Sequence, residues 1–592
     1  MRWRAAALVG PLALLVTLIL AGCGGLSTSG PVEPGLEVGS NDPQNLRVVF
    51  PGPVDGASQE SIVRGFIRAG AASDGVYDNA RRFLTSQMSE VWNPDETIVL
   101  LSGDESPSAT LLDPATVQVT AGAAGTIDVN GRFTAAAPGA TVSQTFGVVS
   151  VGGQWRISSL PEGMGRWISR NDVSRLVQPY PVHYISTSAQ DVVPDVRWFP
   201  LDKLATRLAR AQLDPVPDYL ADAASTAVPV GSRLLGDAVS IDGGVATVDL
   251  ISGQLEPTPT ARQDLWAQFV ATLTQDTAVT RVSLSVEGVP VDLPGLNGSA
   301  SSLTQVGFPP SPTRSNTPPV VRRGSEVVAF DTTRLGEPDP REPEDAGDYP
   351  QVAADYRDLA QSADGAELAA VDPGGEQLSR WRDGNRYEVP QFGTDVGHPA
   401  YDQRGFLWAG GVGTAEGQPV RLWAVDTRAD PADPEASRAT PVSADWLSGR
   451  RVEQARVAAD GDRVVVLSTL PDGSSPRVDL TGIVRGERGV PEHLALPLQL
   501  GSSLTQVRGL SWVDDRTVAV LGALGDSGLS PTILTVGGEV RTLTEVPNGQ
   551  SITATGGERD LWVITTNGRL LGRSGAQWLD SGPATDLSAA AG

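Results

Sequence analysis

Three kinds of hydrophobic pattern follow one another along the chain. Residues Ala5 to Leu20 are an apolar run broken only by Gly10, Pro11 and Thr17, with Arg2 and Arg4 before it and small residues after it. That is the layout of a secretory leader, close to the upper length for one and short for a comfortable membrane span. Between Ser58 and Trp92 the apolar residues return at helical spacing. Ile62, Val63, Phe66 and Ile67 form one face, and Tyr77, Ala80, Phe83, Leu84, Met88, Val91 and Trp92 form a second that stops at Asn93-Pro94. Thereafter short alternating runs predominate, bounded by Gly, Pro, Asp and Asn, which predicts strands. These are Thr97–Leu101, 116–120, 125–129, Thr141–Val151 and 154–158.

A second unit mixes both periods. His183-Tyr184-Ile185 opens it as a strand, and 207–220 runs from helix into loop. Next, 238–241 and 245–250 are joined by Asp242-Gly243-Gly244, a hairpin signal. Thr260-Ala261-Arg262-Gln263 predicts a capping box opening a helix with Leu265, Trp266, Phe269, Val270 and Leu273 inward. A strand over 279–286 and a hairpin at Gly288-Val289-Pro290-Val291 close the unit. Phe308 to Pro319 is proline-rich and predicts an extended spacer, and 336–350 an acidic, solvated loop.

From there a weak repeat recurs at roughly 40–60 residues, the size of a four-stranded propeller blade. Its copies run from Ser362-Ala363-Asp364-Gly365 to Val371, Tyr401 to Trp408, Ala459 to Val466, Trp512 to Val520 and Gly556 to Ile564. Each is a turn with Asp or Gly followed by an apolar strand. Five or six blades are expected, with an irregular β-sandwich as the competing architecture. The fold class expected is therefore multidomain, two α+β domains followed by an all-β propeller-like domain. The boundaries are leader 1–22, flexible tether 23–45, first α+β domain 46–178, second 179–300, Pro-rich linker 301–325 and propeller-like domain 326–592.

Composition narrows the function. The 592 residues carry a net charge of −25, and losing Arg2 and Arg4 with the leader would take it to −27. Such a surface repels nucleic acid and anionic headgroups, so no nucleic-acid partner is expected. Cys23 is the single cysteine and cannot form an internal disulfide. Lys203 is the single lysine; with high Ala, Gly and Val this points to a GC-rich genome.

Motifs that suggest chemistry fail on their partners. Gly525-Asp526-Ser527-Gly528 has the form of a serine-protease nucleophile turn, but His183, His398 and His493 lack the matching context. The glycine-rich stretch 411–417 has no helix after it to cradle phosphate. Asp460-Gly461-Asp462 offers too few oxygens for calcium. Glu337 and Asp339 sit in the acidic loop, where a fixed acid/base spacing is not expected. No catalytic residue, metal site or cofactor is expected, and the chain is read as a non-enzyme.

Leu20-Ala21-Gly22-Cys23 resembles the lipobox of bacterial lipoproteins. The resemblance implies cleavage before Cys23 and its conversion to N-palmitoyl, S-diacylglycerol cysteine, a membrane anchor on the extracytoplasmic face. Two or three acyl chains hold stably, at ~0.8 kcal/mol per buried CH₂. The first α+β unit resembles the nuclear-transport-factor-two-like class of cone-shaped domains. The sequences around Ala227–Gly231, Ala246–Leu250 and Gln268–Thr274 resemble the GerMN domain of germination and sporulation proteins. Lipobox, cone-shaped unit, GerMN unit, linker and propeller, in this order, resemble the LpqB family of actinobacterial lipoproteins. That resemblance implies a partner, the extracytoplasmic domain of the sensor kinase MtrB of the MtrAB two-component system, and a role in cell-wall homeostasis and division. The competing reading is a binder of cell-wall glycan or a small ligand.

Overall fold

The computed structural model describes residues 50–72, 77–252, 258–311, 313–337, 349–414, 421–538 and 540–590, which fall within one compact unit. The leader, Cys23 and the tether lie outside the described residues, as do 338–348 of the acidic loop and 415–420.

The first helix, Gln59–Gly70, starts at Ser58, whose hydroxyl accepts from Ser61 N at 3.3 Å, and buries Ile62, Val63, Phe66 and Ile67 as its spacing predicts. The second predicted helix is two short ones, Asp78–Arg81 and Ser86–Val91. They are separated because Leu84 bridges Ile157 and Thr85 N donates to Ile157 O at 2.9 Å, hooking the chain to the sheet. Thr85 then caps the next turn by accepting from Met88 N. Both helices cover a seven-stranded sheet ordered 154–159, 141–151, 116–128, 97–101 and 166–168, with 108–113 and 133–135 also paired to the 116–128 strand. The runs 116–120 and 125–129 are thus one bent strand, Thr116–Asp128. Phe66, Trp92, Phe146 and Trp167 fill the core between the layers.

The second unit begins with a long hairpin, Val177–Ser186 and Val192–Pro200. Its return strand was not expected from the sequence, for every residue of it is buried, so no alternation marks it. Strand Val245–Ile251 pairs in parallel with Arg281–Val286, and helix Pro259–Leu273 makes the crossover. That helix starts two residues before the predicted capping box. Thr258 is the cap, accepting from Ala261 N at 3.2 Å, and Pro259 takes the first turn, where its missing N–H costs nothing. Gly243 and Gly244, both at positive φ, make the two-residue turn between Ser240–Asp242 and Val245–Ile251.

The expected linker, 301–325, differs most. Its start, Leu303, Val306 and Phe308, is buried in the second unit's core. Its end, Val320–Arg323, is a strand that pairs with Glu326–Ala329 and with the chain's last strand, Asp586–Ser588. This three-stranded sheet, made from both ends of the domain, closes a ring of six blade-like sheets. The other five begin with inner strands Arg357–Gln361, Ala400–Tyr401, Arg451–Val457, Leu504–Trp512 and Gly549–Ala554. Each copy of the sequence repeat is the turn between the first and second strands of one of these five. The aspartates fold those turns: Asp364 accepts from Ala366 N, Asp402 from Arg404 N, Asp460 from Asp462 N and Asp514 from Arg516 N, at 2.8–3.0 Å.

Candidate functional site

The three parts of the chain meet on the 177–200 hairpin. Trp198 N donates to Gly131 O at 2.7 Å in the first unit, and its indole Nε1 donates to Gly537 O at 3.1 Å in the propeller. Its ring packs against Phe133 with centroids 6.2 Å apart. Beside it Arg197 is fully buried and donates to Asp195 at 2.8 Å, Asp214 at 2.6 Å and the Tyr184 hydroxyl at 2.7 Å. Tyr219 donates to the second oxygen of Asp195 at 2.9 Å. Burial pushes the Tyr184 and Tyr219 phenols upward, so both remain neutral donors.

The tip of the hairpin docks on the propeller. Ser188 Oγ donates to Asp462 at 2.8 Å, and Arg404 reaches both Ser188 Oγ and Asp462 at 2.7 Å. Asp462 is fully buried, and Asp460 pairs with Arg463 at 2.8 Å. The apolar core continues through this contact: Leu208, Trp266 and Phe269 share one cluster with Val465, Leu480 and Trp512. Gly482 packs so closely on the second unit that a Cβ there would lie 2.7 Å from Ala223 Cβ. Buried, charge-assisted pairs across such a contact set its register.

Where the three parts converge lies a cleft of about 350 Å³. Leu100–Ser102 and Ala135–Gly139 form one wall, Leu498–Ser503 and Gly537–Gly538 the other, with Trp198 at the base. The lining is mostly small side chains and backbone, and among the described residues Arg170 is its single charged side chain. Such a surface can grip a chain segment by shape and main-chain hydrogen bonds; it holds no nucleophile with a base.

The residues singled out by sequence do not gather here. Cys23 is outside the described residues. Ser527 lies in the turn between Thr517–Leu524 and Ser530–Thr535, and its Oγ accepts from Leu524 N at 2.9 Å, a turn-stabilising role. The histidines lie apart, His183 in the hairpin, His398 at a bridge to Gln454 and His493 in an outer strand. His183 is buried against Thr272 Oγ1 at 3.3 Å, and lost hydration pushes it down to about 3. His398 lies beside Pro399 O and Arg456 and is pushed down to about 3 by lost hydration and by that arginine. His493 pairs in an outer strand with Val484. Asp460 and Asp462 are taken up by arginines. Val412 and Gly413 form a short strand with Gly393 and Thr394. Among the described residues no three His, Cys, Asp or Glu converge as metal ligands, and no helix is long and apolar enough to cross a membrane. Sequence reasoning missed Arg197 and Trp198, whose only signal is a charged or aromatic residue inside an otherwise apolar stretch, and Arg404, which looks like an ordinary polar turn position of its repeat copy.

Family models match three stretches in chain order: LpqB lipoprotein N-terminal domain at residues 52–174, Germane, described as sporulation and spore germination, at 181–292, and LpqB lipoprotein β-propeller domain at 345–587. A lipoprotein LpqB from Thermobifida fusca is 27% identical over 96% of this chain and 97% of its own length. One from Cutibacterium acnes is 31% identical over 47% of this chain and 46% of its own. Among solved structures, TolB from Acinetobacter baumannii aligns over 60% of this chain and 98% of its own, at 14% identity and a TM-score of 0.31. The N-terminal, Germane and propeller matches, in that order and joined by similarity along the whole length, establish that the chain belongs to the LpqB lipoprotein family.

Proposed function

We propose that this protein is an accessory to a two-component system, held on the extracytoplasmic face of the cell membrane by lipid on Cys23. There it binds the extracytoplasmic domain of the sensor kinase MtrB and biases its signalling, with consequences for cell-wall homeostasis and division. The N-terminal unit serves as a cone-shaped domain of the nuclear-transport-factor-two-like kind, and the second as a GerMN domain. The observation that carries this reading is the junction on the 177–200 hairpin. Hydrogen bonds from Trp198 to Gly131 and Gly537 and from Ser188 to Asp462 bind three units into one platform. Its cleft is built to hold another chain's backbone rather than to turn over a substrate. A platform changes a kinase only through different affinity for its two states, which a rigid composite surface can supply. Full-length lipidated protein and the kinase, reconstituted together in nanodiscs, should crosslink and co-purify. Failure to do so at micromolar concentrations would remove the proposal.

The cleft's volume favours one second reading, a binder of a cell-wall fragment or other small ligand, since ligand pockets begin at ~300 Å³. Melting curves of the same protein with soluble peptidoglycan fragments test it. An unchanged midpoint at saturating fragment excludes it.

A further inference from the structure

The inner strands of the propeller surround a narrow cavity of about 50 Å³, where one water needs roughly 10–15. Two features of its lining stand out. Gln361, at the end of an inner strand, is 2% exposed, yet neither its side-chain oxygen nor its nitrogen has a hydrogen-bond partner. A buried amide left so destabilises the fold, and native proteins keep few of them. Arg456, on the inner strand of another blade, also lines the cavity. It contacts His398 at 3.2 Å and Pro399 O at 3.4 Å, and has no carboxylate within salt-bridge reach among the described residues.

The acid that acts on Arg456, Asp358, does so from beyond ion-pair distance and is paired with Arg357, while Asp586 is paired with Arg322 and Glu367 with Arg380 and Arg382. His398 is neutral at pH 7 and adds no counter-charge. Arg314 closes one end of the cavity, donating to Ala554 O and Trp512 O. The strap that carries it is fastened by Ser315 and Thr317 to Ala363 O. In a chain of net charge −25, this lining contains two arginines and, among the described residues, no acid.

We propose that the propeller cavity is a binding site for a small oxyanion, with Gln361 and Arg456 as its ligating side chains. Arg456 supplies the charge, and the Gln361 amide offers donor N–H groups on Nε2 and an acceptor oxygen, Oε1. A protonated oxyanion such as hydrogen phosphate carries the complementary acceptor and donor on one centre. The volume admits an ion of that size and excludes a sugar ring. The site is separate from the cleft proposed for the partner and does not rest on it.

Inorganic phosphate is the probe. Isothermal titration and melting of the full-length lipidated protein at pH 7, against chloride at matched ionic strength, should give saturable one-to-one binding and a raised midpoint. Gln361→Leu should weaken phosphate at least tenfold while melting without phosphate at or above the wild-type temperature, since an unpaired amide is lost. Arg456→Gln should weaken it as strongly, and stands alone as the test if the leucine variant does not fold. No saturable binding by the wild type, or wild-type affinity in both variants, overturns the site.

Discussion

Arg322 Nε donates to the Asp586 carboxylate at 2.7 Å across the seam where the propeller's first and last strands pair. The guanidinium is fully buried, and its other nitrogens donate to Ala353 O at 2.8 Å and Tyr356 O at 2.5 Å. One side chain thus ties the entering strand, the leaving strand and the approach to the next blade. Replacing Asp586 by Asn leaves a buried cation without its counter-charge, a change of ~3–5 kcal/mol. The urea midpoint should fall accordingly. A midpoint within error of wild type would mean that the seam is held by strand pairing alone.

Gly538 tests the junction between the first unit and the propeller. Its φ is +121°, and a Cβ there would sit 1.7 Å from Cδ1 of Phe133. Gly538→Ala must therefore both strain the backbone and displace the ring that packs on Trp198. The expected loss is ~1–3 kcal/mol, with faster proteolysis near residues 131–139. Equal proteolysis of variant and wild type would contradict the packing described.

Asp191 gives the hairpin tip a pH dependence. Burial pushes its carboxyl up from the usual 3.8 to about 6, with Asp460 and Asp462 adding to the rise and Val192 N and Arg404 opposing it. Between these values the native state holds a proton that the unfolded chain has released. Stability contributed here therefore falls as pH rises from about 4 to about 6, and stays lower above. Asp191→Asn should abolish that part of the slope and melt higher than wild type at pH 7, converging with it below pH 4. Parallel wild-type and variant curves would refute the assignment.

Cys23→Ser removes the thiol that the lipobox resemblance marks for acylation. In detergent phase separation the variant should move from the detergent to the aqueous phase. Retention in detergent would show that another element holds the protein at the membrane.

Much of the propeller was legible because its turns are local. Asp364, Asp402, Asp460 and Asp514 each accept from a backbone N–H two residues on, so residue type and spacing suffice to mark the first hairpin of a blade. The same holds for the Gly243-Gly244 turn and for the helix that buries Ile62, Phe66 and Ile67. The helix start was placed two residues late because Thr260-Ala261-Arg262-Gln263 fits the capping box, whereas Thr258, the observed cap, has Ala261 three residues on and is marked only by Pro259 after it. The candidate site was not legible. Arg197, Arg404 and Trp198 look like ordinary charged or aromatic positions until their partners arrive.

The periodic elements, the blade turns, the module order and the solitary Cys23 are readable along the chain, since all of these rest on residue types and on contacts within a few residues of one another. Only the tertiary structure decided that Val192–Pro200 is buried on both faces, that Val320–Arg323 closes the ring with Asp586–Ser588, and that arginines serve as internal ties. The physical reason is separation. Trp198 and Gly537 are 339 residues apart, and Arg322 and Asp586 are 264 apart. Pairing over such distances leaves no local pattern, because each partner satisfies its hydrogen bonds and charge only after the chain between them has folded.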